Sequence, residues 1–272
     1  MRTIAHISDL HFGRIEPATL PALTDALQTL KPDVLAVSGD LTQRARKREF
    51  IEARDFLQQL PGVPIVVPGN HDVPLFNLVA RWLSPLGNYR RYISDDLEPY
   101  YADTQVVVQG VNTARSLTWK DGRINRDQVE AICDRLRMAA PDAMRVLVAH
   151  HPFDTEHASG SRDIVGRAGM AMAHFAACKV DVILTGHLHA GRTSASGLRY
   201  KGLGHSTLFV QAGTATSRRT RGGSNMWNLV RVDGRDIAVE SWNWEAGRSR
   251  FVLSGADIFR SGPHGWEKSQ NA

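Results

Sequence analysis

Short apolar runs rich in Val, Ile and Leu, bounded by Gly or Pro, recur along the chain: Ile4 to Ser8, Val34 to Ser38, Ile65 to Pro68, Val146 to Ala149 and Val182 to Thr185. Runs of this length and composition read as buried strands of a largely parallel sheet. Between them the apolar period lengthens. Leu20, Leu23, Leu27 and Leu30 put one apolar stripe along a helix, as do Phe50, Ala53, Leu57 and Leu60, and again Val129, Ile132, Cys133 and Leu136. A fourth helix is expected from Ala168 to Ala177, with His174 on its face. Strand alternating with helix predicts an α/β architecture.

After His189 the texture changes. Arg192 to Tyr200, Thr207 to Ala212, Asn225 to Val232 and Asp236 to Trp244 alternate apolar and polar residues, and Asp233-Gly234 between the last two is a hairpin signal. These segments are expected to supply antiparallel strands to a second sheet, with Trp242 and Trp244 packing into its core. From Ser254 the chain is polar, anchored only by Ile258, Phe259 and Trp266, and reads as a loose tail or a subunit contact. No linker divides the rest, so the expectation is one domain over residues 1–255 followed by a tail over residues 256–272.

A length of 272 residues and an apolar fraction of 42% allow a sizeable core. No apolar stretch approaches the ~20 residues of a membrane span, and the first strand begins without a charged-then-apolar leader. A cytoplasmic location is the expectation. Cys133 and Cys178, far apart and without neighbouring ligands at metal-finger spacing, are expected to be reduced, buried and inert. The formal charge of +5 suits an anionic substrate but is too diffuse to call for nucleic acid. It is densest at Arg218, Arg219 and Arg221, where guanidinium groups could hold the anionic end of a substrate.

Chemistry enters at the ends of the first five runs. They lead into Asp9 and His11, into Asp40, into Asn70 and His71, into His150, and into His187 and His189. In open α/β folds ligands gather beyond the carboxyl ends of the strands, so the repetition points to one metal centre assembled from distant loops. If the chain stays extended there, Asp9 and His11 project to one side, and so do His187 and His189. His150 and His151 would face opposite ways. Ser38 lacks the setting of a nucleophile elbow, which leaves acyl transfer unsupported. His6 is expected as a hydrogen-bonded core residue, and His205 and His264 as solvated ones.

The ordered set Asp9-Leu10-His11, Gly39-Asp40, Gly69-Asn70-His71-Asp72, His150-His151-Pro152 and Gly186-His187-Leu188-His189 resembles the calcineurin-like metallophosphoesterase superfamily. The compact spacing, the phrase from Ser38 to Thr42, and Gly213-Thr214-Ala215-Thr216 followed by arginines are most similar to bacterial phosphodiesterases of the class III cyclic-nucleotide type. The resemblance implies a two-sheet β-sandwich flanked by helices in four αββα layers. It implies two divalent cations, one held by Asp9, His11, Asp40 and His189, the other by Asp40, Asn70, His150 and His187, with Asp40 bridging. It also selects His150 over His151 as the ligand. Carboxylate, imidazole and amide donors suit Mn, Fe or Zn better than the all-oxygen shells of Ca or Mg.

The implied reaction is in-line hydrolysis of a small anionic phosphoester by a metal-activated hydroxide, with Asp40 and His71 as catalytic residues and His71 protonating the leaving oxygen. Asn70, His71, His157 and Arg218 are the expected substrate contacts. Gly69 is expected to permit a sharp turn, and Asp72 to orient the loop or cap a helix. The leading substrate class is a cyclic nucleotide or glycerophosphodiester; a monoesterase or nuclease would use the same metals, and a noncatalytic scaffold would have lost ligands that are all present here. Related compact enzymes form dimers, so a homodimer is a further expectation.

Overall fold

A computed structural model of the chain describes residues 1–116, 121–155, 163–196, 199–200, 202–220, 223–262 and 265–269. The strands are β1 (Arg2–Ile7), β2 (Val34–Ser38), β3 (Val63–Val67), β4 (Tyr100–Ala102), β5 (Val106–Val111), β6 (Met144–Ala149), β7 (Val182–Thr185), β8 (Arg192–Ala195), β9 (Leu208–Gln211), β10 (Met226–Asp233), β11 (Asp236–Glu245), β12 (Arg250–Gly262) and β13 (Gly265–Lys268). The helices are α1 (Thr19–Leu30), α2 (Lys47–Leu57), α3 (Leu78–Leu83), α4 (Gly87–Tyr92), α5 (Arg126–Arg137) and α6 (Ala168–Ala177).

The strands form two mixed sheets, ordered β13-β12-β11-β10-β1-β2-β3 and β4-β5-β6-β7-β9-β8. Side chains alternate across each strand and sort the core into three layers. Ile4, Val34, Ala36, Ile65 and Val67 of the first sheet meet Val106, Val108, Val146, Val148, Val182 and Leu184 of the second. Their neighbours Ala5, Ile7, Leu35, Val37 and Val66 face the other way, onto Leu23 and Leu27 of α1 and Phe50 and Ala53 of α2. Val107, Leu147 and Ile183 likewise pack on Val129, Ile132, Ala171 and Phe175 of α5 and α6. The result is helices, sheet, sheet, helices, and the parallel strands that carry the five motifs end at one rim.

Several expectations need correction. Of the carboxyl-terminal segments, β8 and β9 do join the second sheet, β8 antiparallel to β9, but β10 to β13 extend the first sheet, because β10 pairs with β1, Ile4 opposite Val230. The hairpin at Asp233-Gly234 forms as expected. Beyond Ser254 the described residues are not loose: β12 pairs along the whole of β11, and β13 returns against β12. Trp242 stacks on Trp227 at 5.4 Å and Trp244 meets Phe251 at 5.5 Å, the core role foreseen for both. Cys133 and Cys178 are buried, but they are joined in a disulfide across α5 and α6, with Cα atoms 5.5 Å apart. Their helices pack side by side, which a separation of 45 residues conceals. His205 is tied down, its Nε2 donating to the Val180 carbonyl at 2.9 Å.

Candidate metal centre

The loops after β1, β2, β3, β6 and β7 converge at the rim. Asp9 N donates to the Gly39 carbonyl at 3.1 Å and His11 N to that of Asp40 at 3.0 Å, which locks the first two loops together. Asp72, buried beyond Asn70 and His71, accepts from Gly69 N at 2.9 Å, Leu41 N at 3.2 Å and Thr42 N at 2.9 Å, binding the second loop to the third. Burial and the Asp40 carboxylate push its pKa up to about 6, while the three backbone N–H groups it accepts favour its ionised form and let it orient the loops.

The pairs Asp9/His11 and His187/His189 do not remain extended. All four residues, with Asp40, adopt left-handed backbone, φ 51–72°. The chain turns sharply at each strand end, and that turn aims the side chains at a common point. Gly69 serves differently from expectation: its φ of −106° is open to any residue, but a Cβ there would lie 2.2 Å from Asp40 Oδ1. Its role is to let two loops touch. Gly186 does the same beside Asp9, where a Cβ would meet Ser8 Oγ at 1.8 Å and Asp9 Oδ2 at 2.6 Å.

The donor atoms divide into two groups around Asp40. Asp9 Oδ1 lies 3.2 Å from His189 Nε2 and 3.6 Å from His11 Nε2, while Asp40 Oδ2 is 3.8 Å from His11 Nε2. On the other side Asp40 Oδ1 is 3.4 Å from His150 Nε2, which lies 3.0 Å from Asn70 Oδ1 and 3.2 Å from His187 Nδ1. All seven expected metal ligands, Asp9, His11, Asp40, Asn70, His150, His187 and His189, thus come together. Carbonyl oxygens of Thr42, Ser38 and Arg219 accept from the Nδ1 atoms of His11, His150 and His189 at 3.3, 2.8 and 2.6 Å. A carbonyl cannot donate, so each neutral ring turns an Nε2 lone pair inward.

The donor set fits divalent cations. Asp9 Oδ1 is buried without a hydrogen-bond partner among the described residues, a costly arrangement unless a cation meets it. Burial acts to raise the Asp9 carboxyl, yet the His11 and His189 rings that face it hold it well below the usual carboxylate range. Asp40 is lowered too, burial being outweighed by His150, His71 and His11. Burial, then His150, takes His187 down to about 3, which keeps it in the neutral ligating form.

His71 stands at the mouth of this cluster. Its backbone N donates to Asp40 Oδ1 at 2.8 Å and its Nδ1 to the Gln43 carbonyl at 2.9 Å. Arg219 Nη1 lies 3.1 Å from His71 Nε2. Arg218 instead turns Nε to Glu16 at 3.3 Å and is largely exposed. Of these arginines it is Arg219, not Arg218, that lies against His71, since adjacent side chains of an irregular loop point apart and the triplet of arginines does not say which one faces inward. His151 packs against the His150 and His187 rings, with Thr113 Oγ1 2.7 Å from its Nδ1; nothing about Thr113 in the sequence marks it. His6 is a core residue, 2.9 Å from Ser38 Oγ. His157, Arg221 and His264 lie outside the described residues.

Comparison with known proteins places this geometry. The chain is 27% identical over 217 residues, 72% of its length and 76% of the relative's, to a Synechococcus sp. protein named as a probable cyclic nucleotide phosphodiesterase. It is 27% identical over 198 residues to a Caenorhabditis elegans protein named as a metallophosphoesterase, of which it spans 37%. Its fold is similar to that of a purple acid phosphatase from yellow lupin, TM-score 0.68 at 14% identity, over 94% of this chain and 53% of that one. The model of the calcineurin-like phosphoesterase family matches residues 2–191, the stretch that contains all seven expected ligands. The chain belongs to the calcineurin-like phosphoesterase family.

Proposed function

We propose that this protein is a phosphodiesterase that hydrolyses a small phosphodiester, of cyclic-nucleotide or glycerophosphodiester type, with two divalent cations of the Mn, Fe or Zn class. The observation that carries the reading is Asp40, whose two carboxylate oxygens face separate histidine groups, Oδ2 toward His11 and Oδ1 toward His150. Asp9, His11, Asp40 and His189 would hold one cation, and Asp40, Asn70, His150 and His187 the other. Such a pair, when bound, lowers the pKa of water and neutralises charge on the phosphoryl oxygens.

The chain's own groups supply position and a proton. Asn70 presents an amide beside the ligands, and His71 is fixed by its backbone bond to Asp40 and its ring bond to Gln43. Its Nε2 faces Arg219. A substrate phosphate that draws the guanidinium away frees Nε2 to take up a proton from solvent and pass it to the leaving oxygen. His157 remains a candidate contact for the rest of the substrate.

The test is a panel assay on metal-reconstituted protein with bis(p-nitrophenyl) phosphate, p-nitrophenyl phosphate, cyclic AMP and glycerophosphodiesters. Turnover of the diesters ahead of the monoester is expected. Preference for the monoester would overturn the reading.

A further inference from the structure

Beside the metal cluster lies a surface out of keeping with simple solvation. Phe76, Leu78, Val79, Trp82 and Leu83 are 56–82% exposed, five large apolar side chains within eight residues. The segment is firmly built. Arg81 is buried beneath it, donating to the carbonyls of Pro74 at 2.9 Å and Ser116 at 2.7 Å, and Asn77 Oδ1 caps α3 by accepting from Ala80 N at 2.9 Å. Contiguous apolar surface of this kind marks a binding site more often than an idle one.

The surrounding charge indicates what binds. Residues 42–48 contain Arg44, Arg46, Lys47 and Arg48 and no acid; residues 73–94 contain Arg81, Arg90 and Arg91 and no Asp or Glu. The two stretches adjoin, for the Arg44 guanidinium lies 5.1 Å over the Phe76 ring and Asn88 Nδ2 donates to the Ala45 carbonyl at 3.0 Å. Arg44, Arg46, Lys47, Arg90 and Arg91 are all exposed.

We propose that this face docks the protein on an anionic lipid surface, with Phe76, Val79, Trp82 and Leu83 entering the interfacial layer and the basic side chains meeting headgroup phosphates. Tryptophan and phenylalanine suit that layer, and basic side chains beside it add electrostatic attraction. A second copy of the chain is a poorer occupant, since a two-fold contact would press the basic rim against itself. A protein partner must supply a socket for protruding side chains, whereas a bilayer needs none. The patch begins four residues after Asp72, and the basic stretch follows Gln43, whose carbonyl holds His71, so docking brings the metal cluster to the bilayer.

The test is co-sedimentation with vesicles of phosphatidylcholine alone and of phosphatidylcholine mixed with phosphatidylglycerol. Wild-type protein is expected to bind the mixed vesicles and to be released by salt. Trp82→Ala with Leu83→Ala, and Arg44→Glu with Lys47→Glu, should each weaken binding at least about tenfold. Circular dichroism and melting report whether each variant is folded; were one to unfold, the wild-type comparison of the two vesicle compositions decides alone. Equal binding to both compositions, or none to either, would overturn the proposal, as would folded variants that bind like wild type. So would a solution dimer dispersed by the Trp82/Leu83 change, or capture by polyglutamate without vesicle binding. Turnover is not the readout, so failure here is separable from failure of the phosphodiesterase reading.

Discussion

His11 and His189 point their Nε2 atoms at each other across 3.4 Å, although the Nδ1 of each ring already serves a main-chain carbonyl. Two lone pairs thus oppose one another beside Asp9 Oδ1, which has no hydrogen-bond partner among the described residues. Only a cation or extra protons relieve that arrangement.

The first prediction is thermal. Protein stripped by chelation should melt lower than protein resupplied with Mn or Zn, by about 5–10 °C at a hundredfold excess over Kd for a chain of this size. Scanning calorimetry with and without metal checks this; coincident melts would remove the case for a metal centre.

His71→Ala should keep its metal content, measured by mass spectrometry of the bound elements, while kcat falls by about 10²–10⁴ and falls most for poor leaving groups. Asp40→Asn should lose both metal and turnover. Loss of metal from His71→Ala would instead make that residue a ligand.

Arg219 and Arg218 separate a site contact from a surface pair. Arg219→Ala should weaken kcat/KM by about 10–100-fold, the worth of a charge-assisted hydrogen bond to phosphate. Arg218→Ala removes an exposed pair with Glu16 and should leave kinetics near wild type, with stability changed by no more than about 1 kcal/mol. Steady-state kinetics of both variants side by side provide the check.

Asp33 offers a pH test away from the metals. Burial acts to raise its carboxyl, but hydrogen bonds from Thr3 N and Oγ1, both at 2.8 Å, with the Arg2 guanidinium, lower it overall. A carboxylate whose folded pKa is depressed adds stability above its unfolded value of about 3.9 and loses it as pH falls through the folded value. Asp33→Asn should therefore be less stable than wild type at pH 7, and the gap should narrow at the acid end of the range. Urea melts across pH test this; a gap independent of pH would refute it.

Much of the fold and site is legible in the residues because the strands with a buried face end in ligands. Ile4, Val34, Ile65, Val146 and Val182 announce those strands by composition, and the side chains after them announce the site. The run Val106–Val111 is equally buried, but it ends in no ligand and falls outside that pattern. β12 is mostly exposed, with Phe251 and Phe259 its only fully buried apolar side chains, so its strand character comes from pairing with β11, which no local periodicity reveals. The link between Cys133 and Cys178 is equally nonlocal. The left-handed backbone at Asp9, His11, Asp40, His187 and His189 is also unreadable, because none of these residue types demands it.

Those five positions set a limit on improving the protein. A side chain in the left-handed region costs free energy that glycine would not, so selection for heat resistance alone would drift toward glycine at each of them. Every such gain would erase a donor from the cluster. Durability and chemistry compete there for the same few residues, and a thermally hardened descendant that still works must find its reinforcement elsewhere in the sandwich.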